Sequence, residues 1–316
     1  MTMRWMLSIL ALAALLTGCD DGGDDLGTLP ANVLDFSSHQ LPPFVIMRAI
    51  SDGEADPQAR LSGSIAGEPV TIVKLSGKTN HFGRTLDLEY IDYAATVPDT
   101  PVWIAEHPWT RELGVRTDAT GWWTMYIVKD AGVDLGFSFV YDREGWITTK
   151  SNVIPVSDQD DTDLAIQYID PEFYNRIMRP YVVGQVQANG YPQFVFENAM
   201  VVTVGKSWGS MHDDRLPHGD PGATVSVSPA APDAVGPVYF NEAVIPDFGW
   251  SSTSVDGGVT WLNMPRDATY NVTAMKAGVT YPTVQFRITS QDLADGVQLY
   301  IASPPDSLEG SNDSPP

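Results

Sequence analysis

Apolar and polar residues in this chain alternate over short runs and almost nowhere recur at helical spacing. Residues 69–74, 123–128, 137–141, 199–204, 223–228, 270–274 and 284–288 are rich in β-branched and aromatic side chains. Many of these runs have a period of two, and Gly, Pro, Asn or Asp bound them. That period sends successive side chains to opposite faces of a sheet, so each run predicts a strand. Many short strands with turn signals between them predict an all-β chain built from sandwiches. One segment reads as a helix. Asp170 offers an N-cap carboxylate, Pro171 suits the first helical position, and Pro180 is expected to end it.

The pattern repeats. Asp118, Gly121 and the run from Trp123 are matched by Asp256, Gly258 and the run around Trp261, one residue out of register. The acid can cap a tight turn and glycine can supply the positive φ that the turn needs, so Gly121 and Gly258 read as backbone requirements. Residues 61–65 match 182–186, 100–104 match 223–227, and 136–140 match 268–274. This order resembles the carboxypeptidase-regulatory-like domain, a transthyretin-like sandwich. The second half carries the resemblance through Gly222, Ala223, Val225, Asp256, Gly258, Trp261, Pro265, Tyr270, Val272 and Gly278. The first half departs from it: Pro101 stands at the gly-ala position, and the proline before the late strand is missing. The resemblance implies accessory modules without catalysis of their own. The expected fold is therefore all-β, with two tandem transthyretin-like or Ig-like β-sandwiches that fold separately. They cover 28–169 (repeat core 59–169) and 180–303, and a short helical linker at 170–179 joins them.

The N-terminal segment adds a location. Arg4 precedes an apolar run over 5–16 that is short for a bilayer span. The run ends at Leu16, Thr17, Gly18 and Cys19, a pattern that resembles the bacterial lipobox. The chain has one cysteine in all, so its thiol has no partner for an internal disulfide. The resemblance implies that 1–18 is a signal peptide removed before Cys19 and that the Cys19 thiol carries a diacylglycerol. The protein would then sit in the bacterial cell envelope, outside the cytoplasm, held to a membrane through its N-terminal lipid. Residues 19–27 alternate Asp with Gly and read as a flexible tether; 304–316 read as a disordered tail.

Composition narrows the partners. With 40 acidic and 18 basic residues the formal charge is −22, and phosphate backbones would be repelled, so nucleic acid is excluded as a partner. Hydrophobic residues at 43% suffice for cores held by packing alone.

Few residue sets could carry chemistry, and no cofactor is implied. Gly205, Ser207 and Gly209 follow a strand in a gly-x-ser-x-gly pattern, but no helix follows them and the strand–helix alternation of a hydrolase sheet is missing. His212, Asp213, Asp214, His218 and Asp220 are dense enough for a divalent ion, with His212, Asp214, His218 and Asp220 as the ligand candidates, yet their spacing fits neither a helical His pair nor an EF-hand. The expectation is a polar loop without a metal. Trp103, Trp109 and Trp122 are candidate ligand contacts, because a ring exposed on a sandwich can stack on a sugar. Either Trp122 or Trp123 must point away from the core. Together these features predict a non-catalytic structural, adhesive or ligand-binding module with a protein or glycan partner. The alternative is a carbohydrate-binding module or envelope hydrolase centred on the 205–220 loop.

Overall fold

The computed structural model describes residues 44–47, 64–65, 68–82, 95–205 and 219–302. The chain is mostly β-strand, as its alternation predicts. The first half contributes β1 (Phe44–Met47), β2 (Ser64–Ile65), β3 (Glu68–Phe82), β4 (Val102–Ile104), β5 (Trp122–Asp130), β6 (Leu135–Phe137), β7 (Phe139–Tyr141), β8 (Thr149–Ser151), β9 (Ile154–Val156) and β10 (Asp161–Ile169). A helix, α1, covers 171–188. The second half contributes β11 (Ala199–Thr203), β12 (Thr224–Ser228), β13 (Val235–Phe240), β14 (Pro246–Asp247), β15 (Gly258–Leu262), β16 (Ala268–Met275), β17 (Val284–Ile288), a one-turn helix α2 (Ser290–Ala294) and β18 (Leu299–Ile301).

The two halves are wired alike. In the first, β3 lies between antiparallel β5 and parallel β10. In the second, β11 lies between antiparallel β15 and parallel β18. Across from these, β4 pairs with β7 and β7 with β8, as β12 pairs with β16 and β16 with β17, every pair antiparallel. Each half thus holds two sheets facing one another. Val73, Leu75, Trp123, Met125 and Ile166 from one sheet meet Ile104, Phe139 and Tyr141 from the other. Met200, Val202, Val259 and Trp261 meet Val225, Tyr270, Val272 and Phe286 in the second half.

The halves are also fused. β18 pairs in parallel with β8, placing Leu299, Tyr300 and Ile301 opposite Thr149, Lys150 and Ser151. One eight-stranded sheet therefore runs β14-β13-β15-β11-β18-β8-β7-β4 through both. The boundary at 170–180 divides the repeat but not this sheet. The far edge at β4 is covered, since Val102 N–H donates to Val115 O and Ile104 N–H to Thr110 Oγ1, which leaves that edge little to pair with another chain.

The helix starts as expected and ends later. Asp170 caps it, its carboxylate accepting from Phe173 N–H at 2.8 Å, and Pro171 occupies the first turn. Pro180 does not end it. Residues Tyr174–Met178 are wound as a π turn, with Arg179 N–H bonded to Tyr174 O. This wider turn accommodates a proline that would break a regular ladder. Residues 182–186, matched to a strand in the repeat, are helical. Tyr174, Met178, Val182 and Val186 recur at four-residue spacing and bury one helical face against the outer side of β11, β15 and β18. Those strands are buried on both faces, which is why β15 shows no polar alternation.

Candidate functional site

The described residues on either side of 206–218 are held firmly. Gly205 and Gly219 form an antiparallel bridge, Asp220 N–H donates to Val204 O at 2.8 Å, and Val204 N–H donates to Gly257 O at 2.9 Å. A Cβ on Gly219 would lie 2.2 Å from backbone atoms of Asp256 and Gly257, so only glycine permits this approach. Asp220 is fully buried. Its carboxylate accepts from Lys276 Nζ and, at 2.9 Å, from Tyr281 OH. Burial, reinforced by the Asp220 charge, pushes the Tyr281 hydroxyl above the ordinary tyrosine range, so it stays a donor. These bonds occupy the carboxylate of Asp220, one of the ligand candidates considered in the sequence: it serves as a structural acceptor and faces no solvent. Ser207, His212, Asp213, Asp214 and His218 lie outside the described residues, as does Cys19. Among the described residues no three His, Cys, Asp or Glu side chains are grouped to hold a metal ion.

The three tryptophans are not brought together. Trp103 is 1% exposed and faces the second half's core, with the Arg111 guanidinium 4.0 Å above its ring. This corrects the reading of Trp103 as a ligand contact. Trp109 is half-buried in the 3-10 turn Pro108–Leu113. Trp122 is half-buried on the outer face of the first sheet, opposite Lys78, while Trp123 enters the core. Trp123 lies flat on Gly77, where a Cβ would come within 2.8 Å of the ring.

The seam between the halves gathers charges that no sequence pattern signals. Lys150 is buried on β8; its Nζ donates to both Asp292 carboxylate oxygens, at 2.8 and 3.1 Å, and to Arg287 O at 2.7 Å. Tyr300 OH donates to the same carboxylate at 3.2 Å. Asp292 also closes a capping box with Thr289 at the start of α2. Burial and then the Asp292 charge push the Tyr300 hydroxyl up, keeping it protonated. Glu106 beside β4 accepts from Arg287 of β17 at 2.7 Å and from Ser138 N–H at 2.9 Å. Nearby His107 is pushed down, chiefly by burial, toward its neutral form.

A crevice lies between α1 and the outer face of β11, β15 and β18, reached also by the ends of β3 and β10. Its cavity is about 50 Å³ and partly open. Phe82, Ile169, Met178, Val182, Val201 and Leu262 contribute apolar walls; Arg179, Thr203 and Asp256 are among its polar members. Tyr174 also lines it. Periodicity does not reveal this site, because its walls come from segments far apart in the chain.

No family model matches the chain, and no curated protein matches it. A solved structure similar to it is CBMbc, a family CBM26 module of Eubacterium rectale Amy13K in complex with maltoheptaose. The similarity covers 73% of this chain and 92% of that one at 11% identity, with a TM-score of 0.21, and it carries no argument about fold or ligand.

Proposed function

We propose that this is a non-catalytic, lipid-anchored envelope protein that acts as a structural or adhesive arm. The Leu16–Cys19 pattern supplies the anchor and the 19–27 segment the tether. The observation that supports an arm is the seam. A β8–β18 ladder, a buried Lys150–Asp292 pair and the Glu106–Arg287 bridge tie two sandwiches into one body. The strongly charged groups that are buried there and at Asp220 hold strands together, so they favour construction over turnover. A partner would be engaged at surfaces this body presents away from the membrane. Cell fractionation tests the anchor: wild-type protein should pellet with membranes, and Cys19→Ala should be released or retain its signal peptide. A processed Cys19→Ala protein that still pellets would overturn the proposal.

A second reading, glycan binding, is favoured by Trp109 and Trp122, which are only half-buried. Titration of envelope polysaccharide with tryptophan fluorescence as readout tests it. A change lost in Trp122→Ala would support the reading, and an unchanged spectrum in wild type would remove it.

A further inference from the structure

The crevice beneath α1 contains a polar group that packing leaves unused. Tyr174 is 2% exposed, and its hydroxyl has no hydrogen-bond partner among the described residues. A buried hydroxyl without a partner is costly, and a phenylalanine of the same shape avoids that cost. The Tyr174 ring meets Phe196 edge-on, with centroids 6.1 Å apart, and the Arg179 guanidinium lies 5.2 Å from the centre of the same Phe196 ring. Tyr174 and Arg179 therefore share one end of the crevice, and both line it. Arg179 is half-buried and makes no ion pair among the described residues. Phe196 lies just before Ala199, which is paired with Leu262; the acid of the lining, Asp256, lies just before Gly258, which is paired with Thr203. Four residue steps along the strand separate those pairs, roughly 13 Å at about 3.3 Å each, so Asp256 belongs to the opposite end.

We propose that this crevice binds a short-chain apolar carboxylate. The tail lies among Met178, Val182, Val201 and Leu262, and the carboxylate accepts hydrogen bonds from Tyr174 OH and the Arg179 guanidinium. The chemistry of the two ends selects this class. A hydroxyl donor beside a guanidinium matches an anionic, planar head group, and the apolar walls match an alkyl or aryl tail. Burial pushes the Tyr174 hydroxyl above the ordinary range, so it donates at any neutral pH. The crevice is partly open and its cavity is about 50 Å³, which favours a short tail over a membrane-lipid chain. The site is independent of lipid anchoring.

Hexanoate, 1-hexanol and dodecanoate, each titrated into the full chain by calorimetry and thermal shift, test the proposal. Hexanoate should bind and raise the melting temperature, at least fivefold more tightly than 1-hexanol or dodecanoate. Tyr174→Phe should weaken hexanoate binding at least fivefold while raising the melting temperature of the ligand-free protein. That opposite movement separates a lost ligand contact from a damaged fold. Arg179→Met should abolish the preference for hexanoate over 1-hexanol. Absence of hexanoate binding at millimolar concentration, or equal binding by wild type and Tyr174→Phe, would overturn the proposal.

Discussion

Gly121 takes φ +79°, as its place after Asp118 requires, but in the second half the left-handed residue is Gly257, at φ +77°, and not Gly258. The reason is local. Gly121 N–H bonds Asp118 O, whereas Gly257 N–H bonds Ser254 O, so the second turn opens on Ser254 and closes one residue earlier. Gly258 is already strand, and its glycine requirement comes from Phe240, whose ring a Cβ would meet at 2.7 Å. Backbone conformation and crowding can be separated by experiment. Gly114 has φ +69° with open space around a Cβ, while a Cβ on Gly257 would lie 2.3 Å from Val204 O. Gly114→Ala should cost about 1–2 kcal/mol. Gly257→Ala should cost clearly more in the same urea titration; equal costs would show that the turn relaxes freely. Acid stability reports on another residue. Lys129 Nζ, assisted by Gly132 N–H, holds the Asp158 carboxylate below the usual range. A depressed carboxylate adds stability above its unfolded pKa of about 3.9 and loses that stability as pH falls through the folded value. Stability should therefore fall below about pH 4, and Asp158→Asn should flatten the fall. An identical acid limb in the variant would contradict this.

Strands were the most legible elements, because a half-buried strand writes its period into the sequence. Residues 284–288 form β17 over the span expected, and β11, β12 and β16 lie within a residue or two of their runs. The run 137–141 is one strand by composition but two in the fold. Ala105 N–H takes Ser138 O, the chain steps there, and β6 pairs with β9 while β7 pairs with β4. The helix over 182–186 was hidden by valines that fit a strand equally well, and only the sheet beneath them decides their conformation. Its contribution is measurable: Met178→Ala should cost about 2–5 kcal/mol, as for other buried large-to-small changes. A cost below 1 kcal/mol would mean that α1 is not part of the core. The seam was illegible for a different reason. Lys150 and Asp292 are 142 residues apart, and Glu106 and Arg287 are 181 apart, so no local pattern links them. Lys150→Met should destabilise by about 3–5 kcal/mol, because it strands a buried carboxylate; adding Asp292→Leu should recover most of that loss. If the double variant is as unstable as the single, the charge pair supplies more than mutual neutralisation.

At the scale of the whole molecule, the repeat and the seam lead to different behaviour. A repeat alone describes two sandwiches that unfold independently. The fused sheet gives the second half's β18 a neighbour in the first half, and α1 packs between the second half's sheet and the end of the first half's core. Losing either half exposes an unpaired strand and a buried lysine or aspartate of the seam. Such coupling suits the structural arm proposed above. Differential scanning calorimetry of residues 19–316 tests this coupling most directly. One transition is expected, with calorimetric and van't Hoff enthalpies that agree, and Lys150→Met should lower it as a unit. Two resolved transitions in the wild-type protein, one of them unmoved by Lys150→Met, would contradict a single body and reduce the seam to a contact between independent domains.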